Sequence, residues 1–563
     1  MVLGLLPMAG VPAFYESFLY LVFHWVVLAT SWNILSGYSG YFSFGHGAFF
    51  GAGVYTTATL CSRFDVPFLW SLPAAALVPA LLGVAIGAVV FRVRRVRGEL
   101  FALLTLAVTF VLATIVLNTP IDGGPGVYLS AVPVPSIAPT ASGAFYLMAL
   151  ALATFTLAIA YRIRKARLGM GLFAIHDDED AAEVIGVPTF RHKLVAFALS
   201  CALAGLAGGI HALFVSYVTA NSTFNITVPL TVVLMSVLGG TRHWAGPALG
   251  AVVITVLLYA FTAADEAIAG KAVVGAVLFV AVLLMPEGIL RRAPRRRATG
   301  AAVAEPAGGA GPSAPRLRSD TAAPLLSVRG VRKSFRGVRA LDGVDLDIRE
   351  GEIVGMLGPN GSGKSTLINV ISGHYAADAG SIRFDGHELR GLAAHRIARS
   401  GISRTYQIPR PFAHLDVLDN VALAAMFGGA VLDQRAALAE AMRWLDFAGL
   451  ARRAYAHPGD LNLHQTKFLE LARALASRPR LVLLDEVLSG LTPTEIEEAV
   501  ALIRRIRDHG TTIVLVEHVM RVVTALSDRV VVLDQGRVLA EGDAADVMQR
   551  REVITAYLGM PRA

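Results

Sequence analysis

The stretch that decides the fold is Gly358-Pro-Asn-Gly-Ser-Gly-Lys-Ser365. It follows the apolar run Ile353–Leu357 and precedes Thr366–Ile371, an order that predicts a strand, a glycine-rich loop and a helix. The glycines let backbone N–H groups face phosphate oxygens, and the helix N-terminus adds positive potential. Lys364 supplies a charge to the β- and γ-phosphates, and Ser365 offers a hydroxyl to Mg²⁺. The pattern therefore predicts a nucleoside triphosphate site in an α/β domain.

A second stretch complements this loop. Leu481-Val-Leu-Leu484 predicts a buried strand that ends in Asp485 and Glu486. Asp485 is expected to hold Mg²⁺, and Glu486 is placed to polarise an attacking water. The alternative is a strand end with two solvated acids, which the phosphate loop makes the weaker interpretation.

The composition places part of the chain in lipid. Of its 563 residues, 55% are hydrophobic and 16% are charged, and the mean hydropathy is +0.57. A water-soluble protein cannot bury that much apolar surface. Two cysteines exclude a disulfide framework and a four-ligand zinc site. The net charge of +8 is interpreted as a membrane orientation signal, with no nucleic-acid partner.

The sequence divides into three parts. Residues 1–290 are mostly long apolar runs, residues 291–323 form an Arg/Pro/Gly/Ala-rich linker, and residues 324–563 alternate strands with amphipathic helices. The predicted fold is a polytopic α-helical membrane domain followed by an α/β P-loop domain. About nine spans are predicted at Phe14–Leu35, Gly45–Leu60, Leu69–Phe91, Leu100–Leu117, Ala144–Tyr161, Lys193–Tyr217, Ile226–Gly240, Ala245–Ala263 and Lys271–Leu290.

Basic loops predict the orientation of these spans. Clusters of Arg and Lys lie at residues 92–97, 162–167 and 291–292. All three clusters fall on one side if nine spans alternate from an outside N-terminus, which puts the C-terminal domain in the cytoplasm. A miscount by one short span is the alternative.

A glycine-rich stretch, Gly37–Gly53, joins the first two spans and contains Ser43 and His46. Gly-interrupted segments in transporters form broken helices that face substrate, so both polar residues are candidates for a substrate path. Close helix packing through small residues is an equal alternative.

Residues 325–563 resemble the ATPase domain of ABC transporters. The resemblance implies ATP and Mg²⁺ as ligands, with Gln407 joining Ser365 and Asp485 at the metal. It also implies that Ser489–Thr492 crosses a dimer interface and that His518 contacts the γ-phosphate, so that Glu486, His518, Lys364 and Gln407 are catalytic. The ATP-binding residues implied are Phe335, on which adenine stacks, and Gly358, Pro359, Asn360, Gly361, Ser362, Gly363, Lys364, Ser365 and Thr366.

One segment departs from that family. The signature Leu-Ser-Gly-Gly-Gln is replaced by Leu461, Asn462, Leu463, His464 and Gln465, here called the signature segment, before a helix predicted over Lys467–Ala476. In the family this segment bonds the γ-phosphate of the partner subunit's ATP. Asn462 can donate from its amide, but Leu463 and His464 restrict backbone approach. We therefore expect asymmetric hydrolysis if the complex is a heterodimer.

The membrane part resembles permease subunits of branched-chain amino-acid ABC importers. The likeness rests on Ser43–Phe49, Arg97–Thr105, Gly123–Gly126, Leu238–Gly240 with Trp244–Pro247, and Met285–Gly288. It implies a permease and an ATPase fused in one chain of a bacterial inner-membrane importer. A second permease, a second ATPase and an extracytoplasmic solute-binding protein are implied as partners, whereas a homodimer of the fusion is possible.

The loop Leu168–Phe190, here called the coupling loop, resembles the Glu-Ala-Ala…Gly loop of ABC importers. It contains Asp180, Ala181, Ala182, Val184, Ile185 and Gly186. Its acidic start favours a helix N-terminus, and its apolar side can dock on the ATPase near Gln407. An ordinary solvated loop is the alternative.

The resulting interpretation is an ATP-driven importer for branched-chain amino acids or related small polar solutes. Related importers carry urea, short amides or aromatic acids, so these cargoes are alternatives. A membrane-tethered ATPase with a signalling role is a rival of another class, and an exporter is disfavoured by the short loops.

Overall fold

A computed structural model describes residues 2–93, 96–122, 124–263, 275–276, 288–290 and 323–558. The chain divides into two compact units. The membrane unit comprises Met1–His176 and Thr189–Gly300, and the ATPase unit comprises Asp177–Pro188 and Ala301–Ala563. A short piece of the membrane-domain sequence, Asp177–Pro188, therefore folds with the ATPase unit; it is called the inserted segment below. The predicted linker, 291–323, lies almost entirely outside the described residues, so its boundaries stay a prediction.

The membrane unit is built of apolar helices. A 3₁₀ helix, Val2–Ala9, comes first, and the strands β1, Val127–Tyr128, and β2, Tyr217–Val218, form an antiparallel pair. The α-helices are α1 (Ala13–Ser39), α2 (His46–Arg63), α3 (Phe68–Val90), α4 (Glu99–Leu117), α5 (Ala141–Lys165), α6 (Arg167–Asp177, which ends in the inserted segment), α8 (Thr189–Val215), α9 (Ala220–Thr223), α10 (Thr227–Gly239) and α11 (Gly246–Ala263).

Six of the described helical stretches are long and apolar enough to cross a membrane. They are Ala13–Ser39, Phe68–Val90, Glu99–Leu117, Ala141–Lys165, Thr189–Val215 and Ala220–Gly239. The predicted spans at Gly45–Leu60 and Ala245–Ala263 fall on α2 and α11, which are helical but outside this set. The ninth, Lys271–Leu290, lies mostly outside the described residues, so the count of nine stays a prediction.

The glycine-rich stretch Gly37–Gly53 contains both a break between two helices and a site of close helix packing. The helix breaks between Ser39 and His46, where α1 ends and α2 begins. Beyond the break, a Cβ added at Gly53 would lie 2.1 Å from the carbonyl oxygen of Gly205 on α8. This glycine therefore lets α2 and α8 pack with their backbones almost in contact.

The ATPase unit contains two further sheets. Its strands are β3 (Leu326–Phe335), β4 (Val338–Ile348), β5 (Ile353–Leu357), β6 (Ala379–Phe384), β7 (His387–Glu388), β8 (Ile402–Arg404), β9 (Leu481–Asp485), β10 (Thr512–Val516), β11 (Arg529–Asp534) and β12 (Arg537–Gly542). Its helices are α7 (Glu179–Val184, in the inserted segment), α12 (Lys364–Ile371), α13 (Ala394–Ser400), α14 (Val417–Phe427), α15 (Gln434–Phe447), α16 (Leu463–Ala476), α17 (Pro493–Asp508), α18 (Met520–Leu526), α19 (Ala544–Gln549) and α20 (Arg551–Leu558).

The larger sheet has the strand order β12-β11-β5-β10-β9-β8, and the smaller has β4-β3-β6-β7. From β11 to β8 all neighbours are parallel, while β12 is antiparallel to β11. Every residue of β5, β9 and β10 is buried, which is typical of parallel strands covered on both faces. These apolar runs therefore form the core that fixes the loops at their carboxyl ends.

Candidate functional site

The predicted nucleotide residues collect at one edge of the parallel sheet. Val516 on β10 pairs with Met356 on β5 and with Asp485 on β9, while Arg404 on β8 pairs with Leu483. Parallel strands present their carboxyl ends at the same edge, where α/β proteins bind ligands. The phosphate loop, Gln407, Asp485 with Glu486, and His518 each follow one of these four strand ends.

Three glycines of the phosphate loop, among them Gly361 with φ 80°, hold conformations that other residues rarely adopt. Gly358 has φ 145° and Gly363 has φ 107°. A Cβ at Gly358 would lie 2.2 Å from the carbonyl oxygen of Leu533. The loop can therefore turn only with glycine here, and it leads directly into α12, which begins at Lys364. That start is two residues before the predicted helix start at Thr366, and it places exposed Ser365 and half-buried Thr366 in the first turn.

The Lys364 ammonium lies over this loop. Its Nζ donates to the carbonyl oxygens of Gly358 at 2.8 Å and Pro359 at 3.0 Å. Burial lowers the pKa of Lys364, and the nearby carboxylates of Glu486 and Asp485 oppose that change. The loop thus concentrates a cation and backbone N–H groups, which suits an anionic phosphate.

Asp485 has the features of a Mg²⁺ ligand. Its Oδ1 is buried without a hydrogen-bond partner among the described residues, and its Oδ2 lies 3.9 Å from Arg404. Burial raises the pKa of Asp485, and the Arg404 guanidinium opposes that rise without overcoming it. A hard cation would satisfy the unpartnered oxygen, and Mg²⁺ commonly binds one or two carboxylates plus substrate phosphates. The described residues accordingly contain no metal cage of three or more His, Cys, Asp or Glu side chains.

Gln407 and Glu486 are brought together from different strand ends. Gln407 Nε2 donates to Glu486 Oε2 at 2.7 Å. Glu486 has φ 49°, an uncommon conformation for a residue other than glycine, and its N–H donates to the Val516 carbonyl at 2.9 Å. Such strain is typical of functional sites that neighbouring contacts hold in place. The arrangement orients one carboxylate beside the phosphate loop.

Sequence reasoning missed two residues that fix the loop after Glu486. Glu517 Oε1 accepts from the Leu488 N–H at 2.8 Å, and Lys467 Nζ donates to the carbonyls of Ser489 and Glu486. Burial raises the pKa of Glu517 to about 7 and lowers the pKa of Lys467. The available signal was position, since Glu517 directly follows the apolar run Ile513–Val516 and precedes His518.

Two other predicted residues sit apart from these contacts. His518 is exposed directly after β10 and Glu517. Phe335 is half-buried at the end of β3, and its ring centroid lies 5.1 Å from that of Tyr375. Their roles at the γ-phosphate and the adenine stay predictions.

The signature segment is helical for most of its length, which corrects the predicted helix start at Lys467. Asn462 caps α16, because its Oδ1 accepts from the Gln465 N–H at 2.8 Å while Gln465 Oε1 accepts from the Asn462 N–H at 3.2 Å. This capping box starts the helix at Leu463, four residues earlier. Leu463 is 48% exposed, and His464 packs its ring 4.1 Å from that of Phe468.

The inserted segment begins with acids that bind basic side chains. Asp178 caps α7 by accepting from the Ala181 N–H at 2.9 Å, and its Oδ2 accepts from Arg410 at 2.9 Å. Asp177 pairs with His414. Arg410 and His414 follow Gln407 on the same loop, so this loop joins the inserted segment to the nucleotide edge.

The apolar side of α7 is buried in the same unit. Ala181, Ala182, Val184 and Ile185 are all buried, while Asp180 lies in the first turn. Gly186 has φ 109°, and a Cβ there would lie 2.2 Å from the Phe427 carbonyl oxygen. The predicted short helix with an acidic start is thus present, and its ordered packing differs from that of a solvated loop.

Ser43 and His46 are both fully buried and hydrogen-bonded in the membrane unit. The Ser43 carbonyl accepts from Trp32 Nε1 at 2.7 Å, and His46 Nε2 lies 3.2 Å from Ser31 Oγ. These contacts join α1 to the start of α2. A role in a substrate path stays a prediction for both.

Known proteins match both halves of the chain. The family described as "Branched-chain amino acid transport system / permease component" matches residues 14–283, and the ABC transporter family matches residues 341–489. The chain is 38% identical over 250 residues to the high-affinity branched-chain amino acid transport ATP-binding protein BraF of Pseudomonas aeruginosa, covering 42% of this chain and 98% of BraF. Its identity to LivG of Escherichia coli K12, another such ATP-binding protein, is 37% with the same coverage.

A crystal structure of a nucleotide-free ATP-binding cassette from an ABC transporter is 27% identical, with a TM-score of 0.39. The match covers 42% of this chain and 98% of that chain. The family resemblance inferred from the motifs is confirmed by the sequence matches, and the permease match and apolar helices identify a multi-pass membrane protein. The chain belongs to the ABC transporters of the branched-chain amino acid transport family, and it fuses a permease component and an ATP-binding component in one polypeptide.

Proposed function

We propose that this chain is one permease half and one ATPase half of an importer in the bacterial cytoplasmic membrane, with its ATPase in the cytoplasm. The proposed cargo is a branched-chain amino acid or a related small polar solute. The observation that carries the proposal is the Gln407 loop, which contacts Glu486 at one end and the inserted segment at the other.

The nucleotide chemistry is divided among residues at the sheet edge. Lys364 and the loop N–H groups bind the β- and γ-phosphates, and His518 contacts the γ-phosphate. Ser365, Asp485 and Gln407 would hold Mg²⁺, which neutralises phosphate charge when bound. Glu486 accepts a proton from the attacking water, and the amide of Gln407 orients its carboxylate.

Coupling follows from the same loop. A change in the position of Gln407 at the nucleotide is passed through Arg410 and His414 to Asp178 and Asp177. Because Gly186 packs against the Phe427 backbone, the inserted segment moves with the ATPase surface as a unit. Two discrete arrangements of such a contact can transmit closure of the ATPase domains.

The proposed assembly contains a second permease, a second ATPase and an extracytoplasmic solute-binding protein. One chain supplies a single phosphate loop and a single signature segment, and two ATPase domains are needed to complete each composite site. The exposed Leu463 supports unequal sites when the second ATPase is a different chain.

The test is uptake by a bacterial strain that lacks its own copy of this chain and carries it on a plasmid. We expect labelled leucine to accumulate against its gradient, and Glu486→Gln to abolish accumulation. Urea, acetamide and benzoate serve as alternative cargoes in the same assay. A signalling ATPase would restore growth responses without accumulating any of these solutes, and that result would contradict the proposal.

A further inference from the structure

The membrane unit contains a cavity of about 290 Å³ that the sequence motifs did not indicate. Helices α1, α2 and α8 form its walls, and the chain from β2 to α10 closes it. Leu21 and Trp25 on α1, Phe50 and Val54 on α2, and His211 and Val215 on α8 each lie four residues apart. This spacing puts each pair on one helix face, so the cavity is built by three consistent helix faces.

Two histidines line the cavity side by side. His24 and His211 stack with ring centroids 4.6 Å apart and planes inclined by 24°. Tyr20 Oη lies 3.2 Å from His211 Nδ1, and Tyr20 is fully buried. Polar groups within membrane helices cost free energy, and they commonly mark pathways or binding sites. Tyr20 is a positioning residue, because it bonds His211 and is absent from the lining.

The lining favours one class of solute. None of the described lining residues is Asp, Glu, Lys or Arg, and aliphatic and aromatic side chains predominate. The ring nitrogens of the histidines, with Ser222 and Thr223 near the closing chain, supply hydrogen-bond donors and acceptors. A cavity of this size is at the small end for ligand sites, which span about 300–1,000 Å³.

The cavity reaches the C-terminal end of α8, where His211 and Val215 line it. His211 is about 22 residues, or about 33 Å, beyond the start of α8 at Thr189, which directly follows the inserted segment. In the orientation proposed above, this is the extracytoplasmic half of the membrane unit. A solute released by a binding protein would meet this half first.

We propose that this cavity is a solute-binding site for small amphipathic solutes with an apolar side chain, such as an aliphatic or aromatic α-amino acid. The apolar walls hold the side chain, and His24 and His211 bond the polar end. The inference rests on the proposed import function, and it names residues and a solute class for that function.

Val54 provides a test with two opposite changes at one position, because it lines the cavity and is 2% exposed. Val54→Phe fills the cavity and Val54→Ala enlarges it. In the plasmid-carrying strain we expect Val54→Phe to lower labelled leucine uptake at least tenfold. Val54→Ala should raise the ratio of phenylalanine to leucine uptake at least threefold. Val195→Phe and Val195→Ala on α8 are matched controls, because Val195 is 47% exposed.

A second measurement separates the site from general damage. His211→Phe keeps a stacked ring but removes both ring nitrogens, so KM for leucine should rise at least fivefold at an unchanged amount of chain in the membrane. Equal effects at positions 54 and 195, or loss of both uptakes in both Val54 variants at normal membrane amounts, would overturn the site. If the unaltered chain takes up urea and no leucine, the proposed cargo class is wrong. The site is then tested by measuring urea uptake in Val54→Phe and Val54→Ala.

Discussion

The phosphate loop and the signature segment belong to the same ATPase unit, yet their backbones differ in accessibility. The phosphate loop leaves its backbone open, whereas side chains cover that of the signature segment. Around Gly358 and Gly363 the chain has positive φ angles and side-chain-free surfaces that phosphate can approach. Around Leu463 and His464 the chain is the first turn of a helix and carries bulky side chains. Under the proposed function, the half-site for this chain's own ATP therefore keeps a complete phosphate loop, whereas the half-site offered to a partner is altered.

The largest effect is expected from the complete half. Lys364→Ala removes the cation over the phosphate loop, and Glu486→Gln removes the proposed base, so ATP hydrolysis by the assembled transporter should fall at least 100-fold. Phosphate release by purified transporter in lipid nanodiscs is the measurement. Glu497→Gln, on the exposed side of α17, is the matched control and should retain full activity. Full turnover in Glu486→Gln would show that another residue activates water.

A smaller effect on hydrolysis, but a large one on transport, is expected at the inserted segment. Arg410→Ala removes the 2.9 Å bond to Asp178, so uptake should fall about tenfold while hydrolysis changes less than about twofold. Arg435→Ala is the control, because Arg435 is exposed. Val184→Asp combined with Ile185→Asp should uncouple more completely, since both side chains are buried. If this double variant keeps solute-stimulated hydrolysis, the coupling role is wrong.

The altered half should respond more weakly. Asn462→Ala removes both the helix cap, worth about 1 kcal/mol, and the proposed amide donor, so turnover should fall about threefold to tenfold. Asn462→Asp keeps a capping oxygen but has no amide donor, so its turnover should fall as well, which separates loss of the donor from loss of the cap. Steady-state hydrolysis by the assembled complex measures both variants. Unchanged turnover in Asn462→Ala would show that Asn462 plays no part in ATP hydrolysis.

The smallest effect on turnover is expected at Glu517, which accepts a hydrogen bond from the Leu488 N–H in the loop after Glu486. Its pKa of about 7 in the folded protein exceeds the ordinary value, so the folded state binds the proton more tightly than the unfolded state. Its contribution to stability is present below about pH 4.5 and is lost as pH rises to about 7, at most about 3 kcal/mol. Glu517→Gln should flatten the pH dependence of the thermal unfolding midpoint over this range. An unaltered dependence would show that the pKa of Glu517 does not differ between the folded and unfolded states.

Local patterns predicted much of the ATPase unit. The predicted strand Ile353–Leu357 coincides with β5, and Leu481–Leu484 forms the first four residues of β9, because strands buried on both faces require continuous apolar sequence. The start of α16 was misplaced because a family pattern was applied across a segment whose own Asn462–Gln465 capping box begins a helix. In that segment the capping pair Asn462 and Gln465 predicts the helix start better than the family pattern does.

Long-range contacts could not be predicted in this way. His24 and His211 are isolated histidines in separate apolar helices, and only the packing of α1 against α8 stacks them. Similarly, the contact of Arg410 with Asp178 joins residues 232 positions apart. Neither pair has a periodicity or motif that marks it in one sequence.

The proposed function depends on one step, that ATP hydrolysis at this sheet edge drives solute through the membrane unit. Its most direct measurement is leucine accumulation in proteoliposomes that contain this chain with its partner subunits and binding protein, with and without ATP on the ATPase side. We expect uphill accumulation with ATP and none with Lys364→Ala or without nucleotide. Undiminished uphill accumulation by Lys364→Ala in the absence of any triphosphate would contradict it.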